Sequence, residues 1–407
     1  MIPDFSRHYL LDGATGTRLF AAGMPRGVCP ESWVLEHRDV MERIQRSYID
    51  AGSDVLYTPT FGANSARLSS FGLEGGLRDM NARLVDISRR ASGGRALLAG
   101  DVSTAGAMPE PFGDTPFSDL VGIYAEQALA LKEAGVDYVG LETFMSLTDA
   151  RAAFLGARQA GLPVTVTMTA DEHGRTFMGS SVLAALVTFQ AMGAAAFGLN
   201  CSEGPEPMLP VIKSLAPHAA IPLIVKPNAG LPAGEPPRYD MTPEEFSAQV
   251  RLLLDAGASI AGGCCGTQEG HIKALRGLMD GYDWARPLPE RKEGLVLASD
   301  TGAYFLEEDF ELSEEIECET DMSDALLDAE DEAVDALSIR IRSFDDAYHF
   351  ALNAHMAHLP VSFLADGEEE LENALFYYPG RAMIDSRSDV DEDKQRELAA
   401  GYGAVIV

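Results

Sequence analysis

Two textures alternate along the first 290 residues. Short apolar runs read as strands: Tyr9–Asp12, Asp54–Thr58, Ala96–Val102, Tyr138–Thr143, Val164–Met168, Ala196–Cys201, Pro222–Pro227 and Ser259–Cys264. Between them, apolar residues recur three and four apart, as in Asp39–Ala51, Leu120–Ala134 and Pro243–Ala256, which predicts amphipathic helices. Gly52, Gly135, Gly161, Gly193 and Gly257 fall where such helices should stop. Thr242, Pro243 and the pair Glu244-Glu245 mark a helix start, with proline in the first turn and early acids. Eight strand–helix units in roughly 280 residues predict an α/β fold of the (β/α)8 TIM-barrel type.

Past Pro287 the texture changes. Gly294–Ser299 reads as a strand, and Tyr304–Cys318 alternates acidic and apolar residues like an exposed hairpin. Ala336–Ile341, Val361–Leu364, Ala382–Asp385 and Ala404–Val407 follow as strands, with helices at Phe344–His358, Glu368–Tyr377 and Asp391–Tyr402. This is a smaller α/β region with only about four strands, and it ends on an apolar strand with no covering helix. Parallel strands are normally buried on both faces. Either the chain is truncated, or another surface completes the half-domain. The predicted division is a barrel over residues 1–290 and an acidic, incomplete-looking region over 291–407.

Composition narrows the setting. A length of 407 residues suggests two domains, and a hydrophobic content of 46% is ample for their cores. No apolar run approaches the ~20 residues of a membrane helix. The start, Met1-Ile2-Pro3-Asp4-Phe5, lacks the basic and apolar segments of a secretory signal. Five cysteines, two of them adjacent, fit reduced cytoplasmic thiols better than a disulfide framework. The formal net charge is −32, and residues 291–407 carry 30 acidic against 8 basic side chains. That surface repels phosphate backbones, so nucleic acid is not expected as a partner.

Cys201 ends the sixth apolar run, and Cys264-Cys265 end the eighth within Gly262-Gly263-Cys264-Cys265-Gly266-Thr267. Three thiolates with a free fourth position can form a zinc site that binds and activates a substrate. Buried free thiols, a structural zinc site and a vicinal disulfide between Cys264 and Cys265 are the other readings of this spacing. In a barrel, however, the C-terminal strand ends carry the active site. That rim would also collect Asp12, Asn64, Glu142 and Asn228.

In sequence order, Leu11-Asp12-Gly13-Ala14-Thr15-Gly16-Thr17, Thr60-Phe61-Gly62-Ala63-Asn64, Glu142-Thr143, Gly198-Leu199-Asn200-Cys201, Pro227-Asn228-Ala229-Gly230-Leu231-Pro232 and the Cys264-Cys265 segment resemble the homocysteine S-methyltransferase family. The likeness covers roughly residues 8–280. The Phe-Gly-Ala-Asn and Pro-Asn-Ala-Gly-Leu-Pro segments are most similar to the N-terminal homocysteine-binding module of cobalamin-dependent methionine synthase. Gln268 departs from the proline that commonly follows Gly-Thr; the change should be mild. The resemblance implies that Cys201, Cys264 and Cys265 bind one Zn²⁺, with the homocysteine thiolate as fourth ligand. It implies that Asp12 and Glu142 hold the substrate's ammonium group. The amides of Gly13, Ala14 and Thr15 could form a small nest for its carboxylate, and Asn64 and Asn228 fix loops or contact substrate.

Other residues are read as ordinary. His37, His173 and His271 are surface residues, Cys29 and Cys318 unpartnered thiols, and Asp101 ends the third strand, where it could line the pocket but has no assigned role. The leading function is methylation of homocysteine to methionine. No corrinoid-binding Asp-x-His-x-x-Gly segment occurs, so methylcobalamin would come on a separate protein or module. Phe376–Ser386 resembles a strand of pterin-binding barrels, but the second region is too short for a complete one. S-methylmethionine or betaine as donor, or another thiol as acceptor, is the alternative chemistry. A retained, non-catalytic module that docks a partner is the alternative role.

Overall fold

The computed structural model describes residues 3–234, 238–286, 289–292, 294–307 and 309–407. Met1, Ile2 and Pro287, used above to mark the start and the change of texture, lie outside the described residues, as does Glu308 within the expected hairpin.

Seven parallel strands are hydrogen-bonded in chain order: β1 Val55–Tyr57, β2 Leu97–Val102, β3 Tyr138–Phe144, β4 Val164–Met168, β5 Ala196–Cys201, β6 Leu223–Pro227 and β7 Ala258–Ala261. Residues 9–12, the first predicted strand, bridge the two ends of this sheet. The Leu11 amide donates to the Ala261 carbonyl at 2.8 Å, and the Asp54 amide donates to the Leu10 carbonyl at 2.7 Å. The curled sheet thus meets itself through this segment, as a TIM-type barrel requires.

Helices Arg38–Ala51, Phe117–Ala134 and Pro243–Asp255 match the periodic stretches to within three residues at either end. Gly52 and Gly135 close the first two in the left-handed conformation. Inside the barrel, Tyr9, Leu11, Val55, Tyr57, Ala99, Tyr138, Ala196, Ile224 and Ile260 form their own apolar cluster. Inward positions recur every second residue, so the next layer towards the C-terminal rim brings in Asp101, Glu142 and Lys226. Gly198 in β5 is required by proximity, since a Cβ there would sit 1.9 Å from the Ile224 carbonyl oxygen of β6.

The chain then forms an antiparallel pair, β8 Leu295–Ala298 with β9 Ala303–Leu306. A second parallel sheet follows in chain order: β10 Leu312–Glu317, β11 Ala336–Ile341, β12 Val361–Ala365, β13 Met383–Ile384 and β14 Val405–Ile406. It has a separate apolar core built around Leu337, Ile339, Phe350, Phe363 and Leu371. Tyr304–Cys318 is therefore not a hairpin. Its first half pairs back to β8 and its second half runs parallel to β11. The acid–apolar alternation was that of an edge strand, with Ser313 and Ile316 buried and Glu314, Glu315 and Glu317 outward.

Polar contacts tie the barrel to the β8–β9 turn and to helix Glu368–Tyr377. The Ser181 amide donates to the Asp300 carbonyl at 2.9 Å, and the Ser180 hydroxyl donates to its carboxylate at 2.8 Å. Arg151, buried on helix Leu147–Arg158, donates to the carbonyls of Leu375 and Phe376. Among the described residues, no helix is long and apolar enough to cross a membrane.

Candidate metal and substrate site

Cys201 closes β5 with φ 58°, and Ser202 follows at φ 56°, a turn into the left-handed region that aims the thiol across the rim. Cys264 and Cys265 sit on the loop after β7. That loop is fixed by backbone bonds from Gly263 to Asp12 (3.0 Å), Cys264 to Pro227 (2.8 Å) and Ala229 to Cys265 (2.9 Å). Gly266 at φ 81° lets the loop turn beneath Tyr239, whose ring would lie 2.2 Å from any Cβ there.

The three sulfurs lie within 4.8 Å of one another. Thiolates on one zinc ion at about 2.3 Å stand roughly 3.8 Å apart, so the cluster fits a single tetrahedral metal with one open position. The protonation balance agrees. Contact with Cys201 and then burial hold the Cys264 thiol well above its ordinary pKa. Cys201 is pushed up to about 11 and Cys265 to about 12: each gains a favourable contact from one neighbouring thiol, outweighed by the other neighbour and by burial. Three sulfurs this close ionise together only around a cation.

Beneath the cluster lies a cavity of about 270 Å³ whose lining includes Asp12, Gly13, Ala14, Thr15, Glu142 and all three cysteines. The sequence reading missed Lys226, which also lines it. Its ammonium donates to Glu142 Oε2 at 2.5 Å and lies 3.5 Å from the centre of the Tyr57 ring. Burial opposes the lysine's charge, but Glu142, Asp12 and Asp101 outweigh it and raise its pKa. Asp12 Oδ2 accepts from the Tyr57 amide at 2.9 Å. Burial lifts the Asp12 carboxyl to about 7 against the pull of Lys226. Asp101 is raised well above the carboxylate range, by burial and then by Glu142.

Several expectations change. Glu142 carries a cation of its own: Lys226 engages its Oε2, so an incoming ammonium would share this carboxylate with the lysine. The Ala14 amide is not free for a carboxylate, since it donates to the Thr267 hydroxyl at 3.0 Å. Asn64 lies outside the cavity lining and caps helix Ser65–Ser69 through the Arg67 amide. Asn228 also lies behind the wall, where its amide donates to the Ser202 carbonyl at 3.0 Å and contacts Cys201. His271 is buried rather than superficial. It pairs with Gln268 in a capping box and sits 2.9 Å from the Met241 carbonyl, which explains how glutamine serves in place of proline at that helix start. His37 is half-buried and stacks on Trp33, while His173 is exposed.

Asn200 and Tyr239 were also missed. Asn200 accepts from the Thr143 amide at 2.8 Å and donates to its hydroxyl at 2.7 Å. Tyr239 contacts the Cys265 thiol, and burial followed by that neighbour pushes its pKa up. One signal for Lys226 was present: it shares the inward parity of Ile224 in the otherwise apolar run Leu223-Ile224-Val225.

Residues 9–279 match the homocysteine S-methyltransferase family. Methionine synthases of Mycobacterium tuberculosis and Mycobacterium leprae are 33% and 35% identical over 285 residues, 65% of this chain. The chain spans 24% of the length of each of these curated relatives. The homocysteine methyltransferase MmuM from Escherichia coli, solved in a metallated form, superposes with a TM-score of 0.57 at 22% identity, over 67% of this chain and 96% of its own. Its oxidized form gives a TM-score of 0.56 at 23% identity.

Proposed function

The chain belongs to the homocysteine S-methyltransferase family, and from that premise we propose that its barrel binds homocysteine and presents its sulfur for methylation to methionine. The observation that carries this reading is the set of three sulfurs on the C-terminal rim, directly above a cavity lined by carboxylates. Cys201, Cys264 and Cys265 would hold a zinc ion and leave its fourth position to the substrate sulfur. Zinc bound there supplies the positive charge that keeps the homocysteine sulfur a thiolate at neutral pH, where a free thiol of pKa about 8.5 is mostly protonated.

The chain's own residues do the rest. The carboxylates at the inner end of the cavity attract the substrate's ammonium, with Asp12 foremost. The turn at Gly13 and Thr15 lies beside it and receives the carboxylate, now without the Ala14 amide. The apolar lining of Leu19, Met24 and Val34 excludes water from the sulfur.

The similarity to methionine synthases supports a corrinoid protein or module as the methyl source. A reducing compartment, the cytoplasm, suits three free thiols. The division at residue 290 belongs to the same reading: a homocysteine barrel followed by a second α/β region of separate role.

The test is metal analysis and homocysteine titration of the purified chain, followed by assays with methylcobalamin-loaded corrinoid protein or with S-methylmethionine. About one zinc per chain, and a homocysteine-dependent change in the metal–sulfur spectrum, are expected. Cys265→Ser should lose both. A variant that keeps zinc and full activity would overturn the assignment, and turnover with S-methylmethionine alone would remove the corrinoid donor.

A further inference from the structure

Resting on the homocysteine-binding reading above, we propose that Thr267 is a positioning residue that fastens the metal loop to the substrate turn, so that zinc and the amino-acid part of the substrate each tighten the binding of the other. Thr267 belongs neither to the sulfur cluster nor to the cavity lining. It is nevertheless wholly buried and bonded to both.

A hydroxyl has one proton to give and two lone pairs to accept with. That of Thr267 donates to the Cys264 carbonyl at 2.7 Å and accepts from the Ala14 amide at 3.0 Å, across 253 residues of chain. The Thr267 amide donates to the same Cys264 carbonyl at 3.1 Å, which closes a turn from Cys264 to Thr267. On the other side, the Ala14 carbonyl accepts from the buried Tyr48 hydroxyl at 2.6 Å. Both peptide groups of the Gly13–Thr15 turn are therefore fixed, one of them by the side chain that also holds Cys264.

The seam has no slack. A Cβ on Gly263 would stand 2.4 Å from the Thr267 hydroxyl oxygen, and one on Gly13 would stand 3.0 Å from it. Backbone amides extend the seam to either end: Gly263 donates to the Asp12 carbonyl at 3.0 Å and Gly266 to the Thr17 hydroxyl at 3.1 Å. A metal that fixes Cys264 fixes its carbonyl, and through Thr267 the direction of the Ala14 amide. Groups ordered for one ligand need not be ordered again for the second, which makes the two bindings cooperative. Such coupling is reciprocal, so the substrate must strengthen zinc binding by the factor that zinc strengthens substrate binding.

The test is zinc affinity of the full chain, measured by competition with a chromogenic chelator in a non-thiol reductant, with and without 2-aminobutanoate. This probe keeps the ammonium and carboxylate of homocysteine but has no sulfur to offer the metal, and it is used at a concentration that displaces bound homocysteine. Wild-type zinc affinity should rise about tenfold with the probe, within the ordinary range of coupling between sites. Thr267→Val should bring that ratio close to one, and Thr267→Ser, which restores the hydroxyl, should recover it. A hydroxyl that served stability alone would lower unfolding midpoints and leave the ratio intact. If Thr267→Val does not fold, Tyr48→Phe, which frees the Ala14 carbonyl, should lower the ratio in its place. A ratio near one in the wild type, or one unchanged in the hydroxyl-less variant, overturns the coupling through Thr267. Wild-type protein that binds no homocysteine, or whose homocysteine the probe never displaces, overturns the homocysteine reading itself, which separates the two failures.

Discussion

Asn200 joins two places where the backbone leaves its preferred region. Thr143 at φ 66° follows Glu142, and Cys201 at φ 58° carries a sulfur of the cluster. Such conformations cost of order 1–3 kcal/mol each in non-glycine residues and persist only where neighbours enforce them. The Asn200 amide is the enforcing group, bonded to Thr143 through both of its polar atoms. Asn200→Ala should lower stability by about 1–3 kcal/mol and weaken zinc binding by roughly tenfold or more. Denaturant unfolding and competition with a chromogenic chelator measure the two effects; an unchanged zinc affinity would show that Cys201 is held by other means. The cysteines were legible in the sequence because three of five stand at glycine-flanked strand ends. Asn200 and Lys226 were not, because their partners Thr143 and Glu142 lie 57 and 84 residues away. Local spacing carries no trace of such pairs.

At the scale of elements, the helix Pro243–Asp255 shows how much local chemistry can specify. Thr242 and Glu245 form a reciprocal capping box, and Pro243 fills the first turn. Thr242→Ala should cost about 1 kcal/mol, seen as a lower denaturant midpoint with an unchanged slope. A neutral outcome would mean that packing of Phe246 and Val250 alone sets this helix start. Signals of this kind made the barrel readable: apolar runs marked the strands, and glycines such as Gly52 and Gly135 marked the stops. They failed where an element is short or lies at an edge. Helix Ser323–Glu330 went unread because it buries only Leu326, too little for a periodic stripe. The β10 strand was mistaken for part of a hairpin because alternation fixes which face is buried but not which strand pairs with it.

The parts of the molecule are joined by buried polar groups, among them Asp300 in the turn between β8 and β9, which meets the barrel at Ser180 and makes stability depend on pH. Burial raises the pKa of Asp300, even though the Ser180 hydroxyl donates to it. A carboxyl whose folded pKa is raised favours the folded state most when protonated. Its contribution is therefore lost as pH climbs from the ordinary value of 3.8 through the raised one. Asp300→Asn keeps the acceptor for Ser180 and removes the titration, so its stability relative to wild type should rise with pH above about 4. Urea midpoints at several pH values check this, and parallel curves for the two proteins would refute it.

Arg151 makes a second joint, to the helix Glu368–Tyr377, with its guanidinium driven down to about 9 by burial and donating to the Leu375 and Phe376 carbonyls. The consequence is one of timing. Those acceptors lie 224 and 225 residues further along the chain, so during synthesis the barrel helix emerges long before the carbonyls that will cover it. A leucine at position 151 would leave that waiting face sticky, whereas an arginine keeps it wet and unreactive. A charged side chain at this seam stays hydrated until then, and the joint closes only when the Leu375 and Phe376 carbonyls arrive.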